Sequence, residues 1–181
     1  MLSRLFFPDR AKRARAASDL FHDLNQAARN PALFLKGRIP DTMDGRFHAI
    51  ALHSAILLPE LERRKPVGPK VSEAVYKRIF DGFDAALREE GVGDASIARK
   101  IRKMGEEFFG LGQSVQEALA SADPSDSLAG VLRRNDICPQ TGETVIARHL
   151  QTLDQYLKAL NDDALIAGQA RMASIHKSSV L

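Results

Sequence analysis

The sequence predicts an all-α protein, a single compact antiparallel helical bundle of about six to eight helices. Three observations carry this. Apolar residues recur at helical spacing along most of the chain. No stretch of useful length alternates apolar and polar residues. The connections are short and punctuated by proline, glycine, asparagine and aspartate, so neighbouring helices should run antiparallel. With 181 residues, 44% of them hydrophobic, the chain can bury one real core. No internal repeat or linker divides it.

The elements follow in order. A first helix starts after Pro8 and ends near Asn30, with Ala17, Leu20, Phe21, Leu24, Ala27 and Ala28 on one stripe. Asn30-Pro31 reads as an N-cap with proline at the first helical position, opening a short turn through PALFLKG that Gly37 ends. Pro40 and Asp41 begin a second helix, with Phe47, Ile50, Ala51, Ser54, Ile56, Leu57 and Leu61 at helical spacing. Pro59 is expected to kink or break it near its last turn. The stretch RRKPVGPK, residues 63–70, reads as a basic loop.

A third helix runs from about Val71 to Glu90 on the face Val75, Ile79, Phe80, Phe83 and Leu87. Gly91 suits its C-terminal cap, and Asp94 is expected to cap the next helix. That helix carries Ile97, Ile101, Met104 and Phe108. Gly110-Leu111-Gly112 should interrupt it, with Val115, Ala118 and Leu119 on a new segment. Residues 121–127 read as a loop, followed by a short helix from about Leu128 to Arg134 and the turn-rich NDICPQTGE. A last long helix covers about Thr144 to Asn161, and residues 162–172 add a short one. The organisation expected is a basic N-terminal arm (1–16), a helical domain (17–172) and a flexible tail (173–181).

Composition excludes several classes. Charged residues make up 27% of the chain, and no apolar run reaches the roughly 18 residues that a spanning helix needs. The longest candidate, Ala49–Leu58, is interrupted by His53 and Ser54 and stopped by Pro59. The protein is expected to be soluble or peripheral. The single cysteine, Cys138, allows no intrachain disulfide and suits a reducing compartment. The N-terminus lacks the apolar region and cleavage site of a secretory signal. Residues 1–15 hold Arg4, Arg10, Lys12, Arg13 and Arg15 against Asp9 alone, so this arm carries +4 and the rest −1 of the net +3. Such an arm either meets an anionic surface, lipid headgroups or ribosomal RNA, or is a solvated first helical turn.

Two segments at bends between helices stand out, IPDTMDGRF (39–47) and LREEGVGDASIARK (87–100). In the first, Pro40 fixes the approach, Asp41 or Asp44 can cap the helix, Gly45 lets another backbone come close, and Arg46 can hold a carboxylate through two hydrogen bonds. The side chains serve either as a polar rim for a partner or as helix caps and an internal salt bridge between Arg46 and an acidic residue on another helix. His53 lies seven residues after Arg46, on the same helix face. His48 and His53 are five apart, the wrong spacing for a metal pair, and a lone histidine in an apolar helix is ordinarily a core residue. In the second segment Gly91 and Asp94 are explained by a tight helix–turn–helix junction: cap, turn, cap. The GxG there is not a dinucleotide fingerprint, because no strand precedes it and the third glycine is missing. Arg99, Lys100, Arg102 and Lys103 form a basic cluster, either solvated or facing an anion. Asp81, Asp84, Glu89 and Glu90 are surface charge without a nucleophile beside them. No catalytic residue, metal or cofactor is expected.

Together the motifs resemble the ubiquinol–cytochrome c chaperone family over roughly residues 17–120. The family's P-D-T-x-x-G-R-F is matched by Pro40, Asp41, Thr42, Gly45, Arg46 and Phe47, with Leu52-His53 following. Its L-R-E-x-G-V-G-D is matched by Leu87, Arg88, Glu89, Gly91, Val92, Gly93 and Asp94, and its K-x-M-x-x-x-F-x-G by Lys103, Met104, Phe108 and Gly110. The chain departs from the pattern at Leu111, where the family commonly has arginine, and at Val115, where it has tyrosine.

The resemblance implies a non-enzymatic assembly factor for the respiratory cytochrome bc complex (complex III). Its client would be newly made cytochrome b, with a small assembly partner protein and a ribosome contact. The implied location is cytoplasmic and peripheral to the inner membrane in a bacterium, which the lack of a long leader favours, or the matrix side in a mitochondrion. The implied partner-binding residues are Asp41, Asp44, Gly45, Arg46, His53, Arg88, Gly91, Gly93, Asp94, Lys100 and Lys103. Arg4, Arg10, Lys12, Arg13 and Arg15 would meet the anionic membrane or RNA, and no DNA partner is expected. The alternatives are an enzyme, a basic nucleic-acid-binding module, and a membrane-surface scaffold without a specific client.

Overall fold

The computed structural model describes residues 8–175. Its helices are α1 (Pro8–Ala28), α2 (Met43–Arg63), α3 (Gly68–Glu89), α4 (Asp94–Leu119), α5 (Pro124–Arg134), α6 (Gln140–Ala159) and α7 (Asp162–Ile166), with 3₁₀ helices at Pro31–Phe34 and Met172–Ser174. No strand occurs among the described residues. The all-α bundle is thus as expected, with seven α-helices among the described residues.

Helix α2 forms the centre because its sequence leaves it no solvent face. Every residue from Ala49 to Leu58 is buried. A helix that is apolar all round must be enclosed, and α1, α3, α4 and α6 pack around it. The remaining long helices each bury one stripe. On α3 it is Val71, Val75, Ile79, Phe83 and Leu87, and on α6 it is Ile146, Leu150, Leu153 and Leu157. Helix α1 packs on α3, and α5 packs on α4 and α6.

The buried Ser54 and His53 of α2 both have hydrogen-bond partners, as buried polar groups ordinarily do. The Ser54 hydroxyl donates to the Ile50 carbonyl at 2.7 Å. His53 is only 2% exposed. Its Nδ1 lies 2.7 Å from the Ala49 carbonyl, and its Nε2 lies 3.1 Å from Nε2 of the equally buried His149.

Two expected breaks do not occur. Helix α2 runs through Pro59 to Arg63. Proline has no N–H for the carbonyl of Ala55, four residues back. Gln116 Nε2 on α4 donates to that oxygen instead, at 2.7 Å. Helix α4 likewise runs unbroken through Gly110-Leu111-Gly112. Phe108, Leu111, Val115 and Ala118 continue one buried stripe. The glycines lie off it, and each weakens the helix by about 1 kcal/mol without ending it. Leu111 and Val115, the two departures from the family pattern, are therefore core residues here.

Several helices start earlier than their apolar stripes suggest. Pro124 opens α5, where the Asp123 side chain caps the Asp126 N–H at 3.1 Å. Gln140 opens α6 and Gly68 opens α3. Arg64, expected in a basic loop, is buried. Its guanidinium reaches the Glu60 carboxylate at 2.5 Å, the Leu157 carbonyl at 2.9 Å and Asp162 at 3.2 Å. This places a cation against the C-terminal carbonyls of α6, where the helix dipole favours one.

At the chain ends, α1 already begins at Pro8, so Arg10, Lys12, Arg13 and Arg15 stand on its first turns. Arg4 lies outside the described residues. The Asp23 carboxylate on α1 accepts from the Met172 and Ala173 N–H groups at 2.7 and 3.2 Å, and Ile175 is buried. The packed structure therefore extends into the segment expected as tail, whose residues 176–181 lie outside the described ones.

Candidate functional site

The entry to α2 is built by IPDTMDGRF. The helix cap is Thr42, whose hydroxyl accepts from the Gly45 N–H at 3.1 Å. Neither Asp41 nor Asp44, the expected caps, makes this contact. Thr42 holds the extended φ, ψ that a cap needs, and Asp44 stands exposed within the first turn. Gly45 is there for space. A Cβ on it would sit 1.9 Å from the Pro40 carbonyl oxygen. The turn 40–42 thus folds directly onto the helix, as the sequence suggested.

This closure brings Asp41 back to Arg46. Nε of Arg46 donates to Asp41 Oδ1 at 2.7 Å, with both side chains more than half exposed. The hydrogen bond from Arg46 holds the Asp41 carboxyl below its usual range, and the same bond raises the guanidinium. The salt bridge foreseen for Arg46 is therefore local to the helix entry and does not reach another helix.

The pair stands on the rim of a groove of about 850 Å³. Its base is apolar and buried: Phe47 and Ile50 from α2, and Ile79, Phe83 and Leu87 from α3. The Phe47 and Phe83 rings are 5.2 Å apart. Phe21 and Asn25 of α1, Phe34 of the first 3₁₀ helix, Met43 and Met104 form its walls. Arg29, Asp41, Arg46, Glu89 and Glu90 supply charge around the mouth. An apolar trough with a few charged groups at its edge suits a ligand or peptide segment with buried apolar side chains and polar flanks. Its methionines adapt to irregular shapes.

The second motif is mostly spent on structure. At the end of α3, Gly91 takes φ +79°. Its N–H donates to the Arg88 carbonyl, and the Val92 N–H donates to Leu87, both at 3.0 Å, which is the Schellman arrangement. Gly93 is the N-cap of α4, and Asp94, expected there, is the first helical residue. Asp94 accepts from Arg88 at 2.6 Å, and Arg88 also holds Asp84 at 2.7 Å. Both hydrogen bonds raise the Arg88 guanidinium.

None of Arg88, Gly91, Gly93, Asp94, Lys100 and Lys103 lines the groove. Lys100 and Lys103 are exposed on α4 beside Arg99 and Arg102. His53 shares a helix face with Arg46 but sits in the core, so it offers no surface to a partner. Sequence reading missed the α1 and 3₁₀ walls. Phe21 read as one member of the first helix's apolar stripe and Phe34 as part of a short turn, and only their partial exposure marks them.

Among the described residues no group of three or more His, Cys, Asp or Glu is placed to hold a metal ion. Cys138 is buried, and burial, with Glu143 nearby, pushes its thiol up to about 11. Such a thiol is a poor nucleophile at neutral pH.

Residues 36–172, which include most of the groove, match the family of ubiquinol-cytochrome C chaperones. The chain belongs to this family. The match begins later than the motif resemblance but continues past residue 120, through α5, α6 and α7. Among solved structures, the chain is similar to the crystal structure of the Cbp3 homolog from Brucella abortus, at 24% identity and a TM-score of 0.81. That alignment covers 93% of this chain and 94% of the other, so the two share a fold. No curated protein matches the chain. The family is one of chaperones, and no helix among the described residues is long and apolar enough to cross a membrane.

Proposed function

We propose that this family member is a non-enzymatic assembly chaperone for the cytochrome bc complex, and that newly made cytochrome b is its client. The groove at the entry of α2 is the docking surface. An apolar segment of the client lies over Phe47, Ile50 and Phe83, and its polar flank meets Asp41 and Arg46. The observation that supports this best is that the segment matching the family builds the floor of a groove large enough for a peptide segment. The exposed basic residues support a peripheral place at the inner membrane, on the side where the client is synthesised. Arg10, Lys12 and Arg15 on α1, and Arg99, Lys100, Arg102 and Lys103 on α4, face solvent and suit anionic headgroups or ribosomal RNA. A small partner protein acts with the chaperone in this reading.

A reduced-minus-oxidised haem spectrum of membranes from a deletion strain tests this. The b-type signal of the bc complex should fall with other oxidases intact, and return on complementation. Complementation with Arg46→Glu should fail even though the variant folds. Full cytochrome b and full ubiquinol–cytochrome c reductase activity in the deletion strain would refute the reading. The same basic faces favour a second reading, a membrane-surface or ribosome-binding module without this client. Steeply salt-dependent RNA binding, together with unchanged cytochrome b, would establish that one.

A further inference from the structure

We propose that a second groove, between α2, α3 and α4 around Phe109, docks a segment of a partner protein in which a lysine or arginine stands beside a large apolar side chain. Phe109 is 62% exposed, whereas phenylalanine is among the residue types most often fully buried. It belongs to an aromatic cluster, with its ring 5.6 Å from Tyr76 and 6.0 Å from Phe108. One turn on, Gly112 also lines the cavity and adds no side chain to it. The resulting cavity, about 550 Å³, has Leu58 and Pro59 among its lining residues.

Charge says what fits it. Glu62 and Glu73 also line this cavity. Both are exposed, and no ion pair among the described residues includes either. Glu62 accepts only a long 3.4 Å bond from the Ser72 hydroxyl. Two uncommitted carboxylates beside aromatic faces attract a cation by ion pairing and through the ring quadrupoles. The apolar neighbour of that cation would cover Phe109. This groove uses the N-terminal half of α3, whereas the groove at Asp41 uses the C-terminal half. The inference therefore stands whether or not the client there is cytochrome b.

The test uses the full chain and two labelled amphipathic peptides of the same helical pattern. One pairs Lys with Leu and Phe, and the other carries Glu at each Lys position. Fluorescence anisotropy should show the Lys peptide binding at least about tenfold more tightly than the Glu peptide. Phe109→Ala and Glu73→Gln should each weaken it by about threefold to fivefold. Asp19→Asn, an acidic surface change elsewhere, should not. Equal binding of the two peptides, no binding, or insensitivity to both groove variants would overturn the proposal. So would a dimer in sedimentation velocity that Phe109→Ala disperses, since the occupant would then be a second copy. Thermal unfolding by circular dichroism checks that the variants are folded.

Discussion

At Gly45, a single hydrogen in place of a side chain decides whether the entry to α2 can close. The Pro40 carbonyl occupies the place of a Cβ. Gly45→Ala must push the 40–42 turn away from the helix, and should destabilise the protein by about 1–3 kcal/mol, measured by urea unfolding. The Asp41–Arg46 pair is a different kind of contact, exposed and screened. Its effect is legible in titration. The Asp41 carboxyl should titrate below its ordinary value of 3.8 by NMR, and Arg46→Gln should return it there. Because the folded value is depressed, the pair's small stabilisation is present above the unfolded pKa. It is lost as pH falls through the folded one. Glycine's role here was readable from PDTMDGRF. The choice of Thr42 over Asp41 or Asp44 as cap was not, because all three can cap and only the backbone φ, ψ selects among them.

Helices α2 and α4 are joined where α2 would otherwise be weak. Pro59 strips Ala55 of its donor, and Gln116 supplies one. Gln116→Leu should then cost about 1 kcal/mol by leaving that carbonyl unpaired. In a Pro59→Ala background, where residue 59 regains an N–H, most of this penalty should vanish. A double-mutant cycle on unfolding free energies measures the difference. The corner of α2, α6 and α7 depends on Arg64 in the same way. Arg64→Leu removes the buried one of the two arginines that pair with the Glu60 carboxylate, the other being Arg63, and leaves the Leu157 carbonyl without its guanidinium donor. The expected loss is about 3–5 kcal/mol. Arg63→Leu, at a half-exposed neighbour, should lose far less. The unequal result would identify the buried arginine as the structural one. Sequence alone made these two arginines equivalent members of a basic loop.

At the scale of the whole molecule, one enclosed helix ties the bundle together. Since α1, α3, α4 and α6 all pack on α2, no part keeps its core when α2 leaves. Unfolding should therefore be a single transition. Far-ultraviolet circular dichroism and tyrosine fluorescence, from Tyr76 in the aromatic cluster and Tyr156 on α6, should give the same urea midpoint. Separate midpoints would mean that α5 and α6 fold apart from the rest.

Apolar periodicity is a local property, and the sequence by itself determined the all-α class, the range of six to eight helices and most helix faces. It also determined the capping glycine at Gly91 and, through three ordered motifs, the family. Tertiary structure alone decided what depends on distant partners. Pro59 and the Gly110–Gly112 stretch are helix breakers by propensity, yet packing and the Gln116 side chain keep both helices whole. His53, which the sequence already suggested as a core histidine, meets His149 there, a partner ninety-six residues away that only the fold supplies. The groove is assembled from α1, the first 3₁₀ helix, α2, α3 and α4. Its walls could not be read in advance, because a half-exposed phenylalanine and a core phenylalanine follow the same helical spacing and differ only in what lies across from them.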